Sequence, residues 1–154
     1  WRRSNAGFRL PTESEWEVAA RASERTPFAG SSNVGEVGWH AGNGSGRPQP
    51  VGAKKANSWG LHDMSGNVWE WCWDGYDPAA YSKRVEAAKS GVLIDGRDPL
   101  RDPQGEAVSL RAVARGGSSG QAFFDLRVAH RGRFHPEKRT PLVGLRLVQS
   151  GRVG

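Results

Sequence analysis

Residues 60–74, which read G-L-H-D-M-S-G-N-V-W-E-W-C-W-D, carry the clearest information about the fold. Trp69, Trp71 and Trp73 alternate with other residues, and a period of two is typical of an extended strand. The three rings would then lie on one side of the strand and Glu70 on the other. The sequence therefore predicts an aromatic strand that follows a polar turn.

The polar turn contains oxygen donors of the kind that calcium prefers. Calcium takes about six to eight oxygen ligands, from carboxylates and backbone carbonyls together. Asp63 and Glu70 can supply carboxylates, and the carbonyls of Gly66 and Val68 lie between them. The spacing leaves two interpretations open: a calcium site, or a polar turn before a buried aromatic strand.

Three further blocks, together with residues 60–74, resemble the formylglycine-generating enzyme (sulfatase-modifying factor) family. They read F-R-L-P-T-E-S-E-W-E at 8–17, R-G-G-S at 115–118 and G-L-R-L-V at 144–148, in the family's order. The resemblance implies an α+β, C-type-lectin-like fold, loop-rich with short antiparallel strands and few helices. It also implies calcium at the positions that match Asp63, Gly66, Val68 and Glu70.

The composition fits one domain over residues 1–154 with a small core. Only 36% of the residues are hydrophobic, and 21 are glycine. The family has strands and a helix before the R-L-P-T-E block, whereas few residues precede Phe8 here. We therefore expect that N-terminal portion to be absent or to come from another chain.

Charge and cysteine usage narrow the classes of function. The net charge is +6, but Lys and Arg are scattered without a long run, so nucleic-acid binding is not expected. No apolar stretch reaches the length of about 18 residues that a membrane span needs, and no signal-peptide pattern is present. We expect a soluble domain, and the compartment stays open. Cys72 is the only cysteine and is predicted to be a buried, unreactive residue.

A helix is predicted over 13–22, because Thr12 and Glu15 form a capping box at its start. Residues 23–58 are predicted to be a long loop that is held by Trp39 and Trp59 and contains a short strand at 37–40. The resemblance places Asn43 at a second calcium position of the family, which we do not expect to be used. The remaining predictions are a helix at 83–89, a loop at 130–143, and strands at 92–94, 108–114, 126–129 and 144–148. The paired glycines after Arg115 predict a bulge or a close approach of two backbones.

Family enzymes oxidise a substrate cysteine with a pair of cysteines and a copper ion. The positions that match this pair are Phe123 and Val128. Neither side chain can form the thiolate that Cu(I) selects. Formylglycine generation is therefore not expected.

Irregular residues between the family blocks near the C-terminus predict a ligand-binding surface. Aromatic residues and arginine are enriched at the centres of protein interfaces. The arrangement resembles the ligand-binding face of the C-type-lectin-like variable proteins of diversity-generating retroelements. An alternative is that the phenylalanines belong to the core. The predicted contact residues are Phe123, Phe124, His130, Arg133, Phe134 and His135.

Our leading hypothesis is a non-catalytic, calcium-stabilised module that binds a protein or other macromolecule through this C-terminal loop surface. The alternative is a metal-dependent oxidoreductase of the family, or its substrate-binding subunit. His130, His135 and Arg131 would then line a substrate pocket. Asp125 or Glu137 could also complete an iron-type triad with the two histidines. A third interpretation is a structural subunit of a larger assembly.

Overall fold

The computed structural model describes residues 7–89 and 111–150 of the 154-residue chain. These residues contain three α-helices, one 3-10 helix and eight short strands. The helices are α1 (Glu13–Arg21), α2 (Val34–Val37), α3 (Ala80–Lys89) and the 3-10 helix Phe123–Leu126. The strands are β1 (Gly7–Arg9), β2 (Gly38–Trp39), β3 (Ser65–Gly66), β4 (Trp69–Gly75), β5 (Ala112–Arg115), β6 (Arg131–Phe134), β7 (Val143–Gly144) and β8 (Val148–Ser150). No helix in these two ranges is long and apolar enough to cross a membrane.

The largest sheet has four strands in the order β6-β5-β4-β7. β5 pairs antiparallel with both β4 and β6, whereas β7 runs parallel to β4. A second, antiparallel pair of β1 and β8 brings the two ends of the described chain together. The predicted α+β, loop-rich architecture with short strands is confirmed, with two short parallel pairs, β4–β7 and β2–β3, beside the expected antiparallel ones.

The capping box predicted for α1 is present. The hydroxyl of Thr12 accepts from the Glu15 amide at 3.2 Å, and the Glu15 carboxylate accepts from the Thr12 amide at 2.8 Å. Both groups therefore satisfy amides that have no partner within the helix. The Arg9 guanidinium also binds both oxygens of Glu15, and this lowers the pKa of Glu15 to about 2.

The two sides of β4 differ from the prediction. Trp69 is buried, but Trp71 and Trp73 are only half-buried. The opposite side, with Glu70, Cys72 and Asp74, is the more buried one, and all three residues are at most 5% exposed. Cys72 is thus a buried core residue as predicted, and burial raises its pKa. Partners on other elements donate to Glu70 and to Oδ2 of Asp74, whereas Oδ1 of Asp74 is buried without a hydrogen-bond partner.

Several predicted elements need correction. Residues 126–129 are not a strand, since the 3-10 helix ends at Leu126 and a turn follows. Within the predicted loop 130–143, the chain forms β6 and begins β7. The predicted strand at 144–148 is divided between β7 and β8 by three residues without regular structure. The prediction at 92–94, and residues 108–110 of another strand, lie outside the described residues.

Other predictions are confirmed. The helix expected at 83–89 begins earlier, at Ala80, and the short strand expected at 37–40 is β2. Gly117 has a φ of 75°, and a Cβ there would lie 2.8 Å from the Asp125 carbonyl oxygen. The two backbones thus approach closely where the paired glycines predicted it.

The loop at 23–58 is held by Asn57 rather than by Trp59. Trp59 is 54% exposed, whereas Asn57 is 5% exposed. The side-chain nitrogen of Asn57, Nδ2, donates to the Ala19 and Ala20 carbonyls at the end of α1. Its side-chain oxygen, Oδ1, accepts from Leu61 N at 3.0 Å. This buried asparagine, together with Ser58, whose hydroxyl donates to the Ala22 carbonyl at 3.0 Å, holds the end of the loop against the helix.

Replacing Thr12 with Ala should lower the free energy of unfolding by about 1 kcal/mol, because the Glu15 amide loses its capping partner. Urea denaturation of both proteins measures this difference. Ser14→Ala, an exposed change in the first turn of the same helix, should alter the free energy by less than about 0.5 kcal/mol. Equal effects of the two changes would contradict a capping role for Thr12.

Candidate calcium site and ligand-binding surface

The turn between residues 60 and 70 carries all four predicted calcium ligands and several residues in the left-handed backbone region. Asp63, Gly66 and Asn67 all have positive φ, at 59°, 87° and 63°. Asp63 Oδ2 accepts from the Gly52 amide at 2.7 Å, while Asp63 Oδ1 is buried and has no hydrogen-bond partner. A buried carboxylate oxygen without a donor is costly, so a cation at this point would be favourable.

Glu70, the second predicted carboxylate, is 5% exposed and heavily hydrogen-bonded. Its Oε2 accepts from Trp16 Nε1 at 2.7 Å and from Arg146 Nε at 3.0 Å. Its Oε1 accepts from Arg146 Nη2 at 2.7 Å. A carboxylate has about four acceptor positions, so Glu70 keeps about one of them, on Oε1.

An open cavity of about 430 Å³ connects these groups. Asp63, Val68 and Glu70 line it, whereas Gly66, the fourth predicted ligand, does not. A cation site of carbonyl and carboxylate oxygens fits the unpartnered Asp63 Oδ1 and the free position on Glu70. Asn43, the residue at the second family calcium position, instead uses its side chain to bind His40 N and Gly38 O within its own loop.

The predicted contact residues separate into two aromatic groups. Phe123 and Phe124, on the 3-10 helix, are 53% and 50% exposed, and their rings meet edge to face at 5.8 Å. The His40 ring lies 6.4 Å from that of Phe123. We call these three residues the aromatic surface. Phe123 and Phe124 are exposed and are therefore not core residues, and their role as ligand contacts stays a prediction.

The second group, which we call the tryptophan cluster, consists of Trp69, Trp71, His130 and Phe134. The Phe134 ring packs edge-on against Trp69 and Trp71 at 5.7 and 6.0 Å, and His130 lies 5.7 Å from Trp69. Burial in this cluster lowers the pKa of His130. Phe134 and His130 are therefore partly buried. For Phe134, partial burial agrees with the alternative interpretation, in which the phenylalanines belong to the core.

The last two predicted contact residues, Arg133 and His135, are both exposed. The Arg133 guanidinium lies 5.1 Å from the centre of the Tyr76 ring. His135 is near Glu137, with 3.8 Å between Nδ1 and Oε2. Both remain accessible beside β6.

The blocks in the sequence and the fold they form agree with a comparison against known families. A family model described as "Sulfatase-modifying factor enzyme 1-like domain" matches residues 1–151. The chain belongs to this family. The predicted family membership and fold are thereby confirmed.

Relatives of this sulfatase-modifying factor domain include enzymes with different names. The chain is 35% identical over 157 residues to the hercynine oxygenase of Mycolicibacterium smegmatis, covering 92% of this chain and 33% of the relative. It is 33% identical over 129 residues to the formylglycine-generating enzyme of Streptomyces coelicolor, covering 73% of this chain and 36% of the relative. The chain thus spans about a third of the length of these two curated relatives.

Solved structures similar to the domain include one named as a variable protein. Treponema denticola variable protein 1 matches with a TM-score of 0.71 and 30% identity, over 92% of this chain and 47% of that chain. PvdO from Pseudomonas aeruginosa matches with a TM-score of 0.68 and 23% identity, over 92% of this chain and 52% of that chain. The second of these likenesses concerns the fold alone.

The two positions that match the family's cysteine pair have different surroundings in this domain. Val128 is fully buried in the core, whereas the Phe123 side chain is half-exposed. The core cluster around Val128 also contains Trp16, Met64 and Cys72. Cys72 is the chain's single cysteine, so the paired-thiolate copper site of the family has no counterpart in this sequence.

The residues of the predicted iron triad are not brought together. His130 Nε2 lies 3.7 Å from Asp125 Oδ1, and His135 is near Glu137 instead. Within residues 7–89 and 111–150, no group of three or more His, Cys, Asp or Glu side chains is placed to hold a metal ion. The triad prediction is therefore wrong for the described part of the chain.

Arg131, expected to line a substrate pocket in the enzyme interpretation, is a structural residue. Its Nε and Nη2 donate to the two oxygens of Glu13 at 2.6 and 2.7 Å, and Nη1 donates to the Asp77 carbonyl at 2.9 Å. Arg115, which is fully buried, binds Glu17 of the same helix. Sequence reasoning missed this network, although the acidic start of α1 and the two arginines were visible.

Phe134→Ala should destabilise the domain by about 2 kcal/mol, less than the 3–5 kcal/mol typical of a fully buried phenylalanine, because Phe134 is half-buried. The loss comes from its contacts with two tryptophan rings. Thermal or urea unfolding measures it, and Phe124→Ala provides the exposed control with little expected change. A neutral Phe134→Ala would mean that the tryptophan cluster does not need this ring.

Proposed function

We propose that this domain is a non-catalytic, calcium-stabilised binding module whose ligand is a protein or other macromolecule. The observation that carries the proposal is the half-exposed Phe123 at a position where the family's enzymes have a reactive cysteine. Phe124 beside it is equally exposed. Aromatic side chains of this kind supply contact area at interfaces at a low cost in conformational entropy.

The backbone beneath the aromatic surface is fixed on both sides. Ahead of the 3-10 helix, the Gln121 carbonyl accepts from Ala41 N at 2.8 Å. After it, Val128 N donates to the Pro27 carbonyl at 2.9 Å, and between them Leu126 is fully buried. A rigid support reduces the entropy lost on binding, which favours a recognition role.

The charge of the segment that follows the 3-10 helix favours an acidic ligand. Residues 127–139 contain four exposed cations and one exposed carboxylate, Glu137, and among the described residues no ion pair joins these cations to an acidic side chain. Complementary potentials increase association rates and specificity. These cations are Arg127, Arg133, Lys138 and Arg139.

Support also comes from the similarity to Treponema denticola variable protein 1. We infer that the present domain presents residues on a stable C-type-lectin-like frame, as expected for a variable protein. The contact set would be led by Phe123 and Phe124, with His130, Arg133 and His135 at its margin. Phe134 would support the surface from within the tryptophan cluster.

In this proposal, calcium is held by Asp63, Glu70 and the backbone oxygen of Val68, which line the cavity, with the Gly66 carbonyl as the fourth predicted ligand. The unpartnered Asp63 Oδ1 supports this assignment, because a cation there would satisfy it. The ion would connect the 60–66 turn to β4 and so stabilise the loops. The hard oxygen donors suit calcium, and its role in this proposal is structural.

Elemental analysis should find about one calcium per chain. When the free calcium concentration is about a hundredfold above the dissociation constant, removing calcium with a chelator should lower the melting temperature by roughly 5–10 °C. Asp63→Ala should remove both the calcium and the chelator effect. Glu137→Ala removes an exposed carboxylate and serves as the control. Calcium retained in full by Asp63→Ala would refute the assignment of this ligand.

The double change Phe123→Ala and Phe124→Ala should weaken binding to a ligand identified on a protein array by roughly thirtyfold, since a central aromatic residue contributes about 2 kcal/mol. The melting temperature should change little, because both rings are at least 50% exposed, whereas Phe134 is more buried and packs against two tryptophan rings. Phe8→Ala, which removes a 65% exposed ring from β1, is the matched control. An undiminished affinity would place the binding surface elsewhere.

A second candidate function is suggested by the hercynine oxygenase relative. That protein is about three times as long as the aligned region, so a domain of this kind can form one part of a larger oxidoreductase. Stoichiometric iron or copper in the purified protein, with redox turnover, would favour this function. Calcium alone would favour the binding module.

A further inference from the structure

The positively charged Arg146 side chain contacts the candidate calcium site. Its Nε and Nη2 donate to the two oxygens of Glu70 at 3.0 and 2.7 Å. Nη2 also donates to the His62 carbonyl at 2.9 Å. Because Glu70 lies on β4 and His62 directly precedes Asp63, the guanidinium joins the same two parts of the chain that a bound calcium would join.

The two carboxylates of the site are unequally compensated. Glu70 accepts three hydrogen bonds, two of them from the Arg146 guanidinium. Asp63 accepts only from the Gly52 amide, and its Oδ1 is buried without a partner. Without a metal ion, negative charge is therefore balanced at Glu70 and left unbalanced at Asp63.

We infer that Arg146 is a positioning residue that acts as an internal counter-cation of the calcium site. It holds the Glu70 carboxylate in place, keeps the domain folded when calcium is absent, and weakens calcium binding. The inference rests on the proposed calcium site. It follows from electrostatics, because the guanidinium and a calcium ion would share one carboxylate and repel each other.

Loss of the guanidinium has opposite consequences for the two states of the site. In the calcium-free protein, Glu70 would become a buried charge without a counter-ion, which is strongly destabilising. In the calcium-bound protein, the metal ion would balance that charge, and the repulsion from Arg146 would be gone. Stability should therefore depend more on calcium once Arg146 has been replaced.

The test compares the unaltered chain with Arg146→Gln by calorimetric titration with calcium chloride and by thermal melts in calcium and in chelator. Arg146→Gln should bind calcium roughly fivefold more tightly or better, at the lower end of typical coupling between sites. Its chelator-induced fall in melting temperature should also be larger. Arg131→Gln is the matched control, because Arg131 binds both oxygens of the buried Glu13 away from the site. It should melt lower in both conditions, with calcium affinity unchanged.

Each outcome separates the inference from the proposed function. If the unaltered chain responds to calcium and Arg146→Gln has equal or weaker affinity, the inference fails and the calcium site stands. If neither protein responds to calcium, both fail. If Arg146→Gln does not fold even with calcium, Arg146→Lys decides, because lysine keeps the charge but loses the two-pronged contact. Its chelator-induced fall should exceed that of the unaltered chain, and an equal or smaller fall overturns the inference.

Discussion

The hydrogen bond from the Trp16 indole to the buried Glu70 carboxylate joins the parts of this structure that lie far apart in sequence. Trp16 belongs to the larger core cluster of the described residues, and its indole Nε1 donates to Glu70 on β4 at 2.7 Å. A carboxylate this deeply buried is tolerated only with donors around it, so α1 and the segment carrying Arg146 must both reach it. The interaction therefore specifies where the helix and the C-terminal segment pack.

A second carboxylate on the same side of β4 completes the packing of the helix. Asp74 accepts from the Glu13 amide at 2.6 Å, in the first turn of α1, where negative charge is favourable. The Glu13 carboxylate in turn binds Arg131 on β6 and lies 3.3 Å from Arg115 on β5. The first turn of one helix thus fixes the relative positions of three strands, in a domain with few apolar residues.

The parts predicted correctly from sequence are those where a local pattern determines the structure. Thr12 and Glu15 identify the start of α1 because a capping box needs only neighbouring residues, and the alternating tryptophans identify β4. The inward face of that strand could not be predicted, because hydrophobicity alone assigns Glu70 and Asp74 to solvent. Their partners are 54 and 61 residues away. Likewise, β6 reads as a loop because Arg131 is held by a distant Glu13, and Asn57 gives no signal that it holds the long loop against α1.

The candidate site divides in the same way between local and distant determinants. The turn that presents Asp63 was recognisable from a short block, but the guanidinium that balances Glu70 comes from a segment 76 residues later.

The aromatic surface obeys a different constraint. Phe123 and Phe124 project outward from a helix whose inner side, at Leu126, is fully buried and whose flanking backbone is hydrogen-bonded to other loops. Exposed residues on such a support contribute little to folding, so they can be exchanged without loss of the frame. By contrast, Val128, at the other family cysteine position, is surrounded by the core and is constrained by packing. Two positions that serve one reaction in the family's enzymes therefore have separate surroundings in this chain: the first is exposed on the surface and the second is packed in the core.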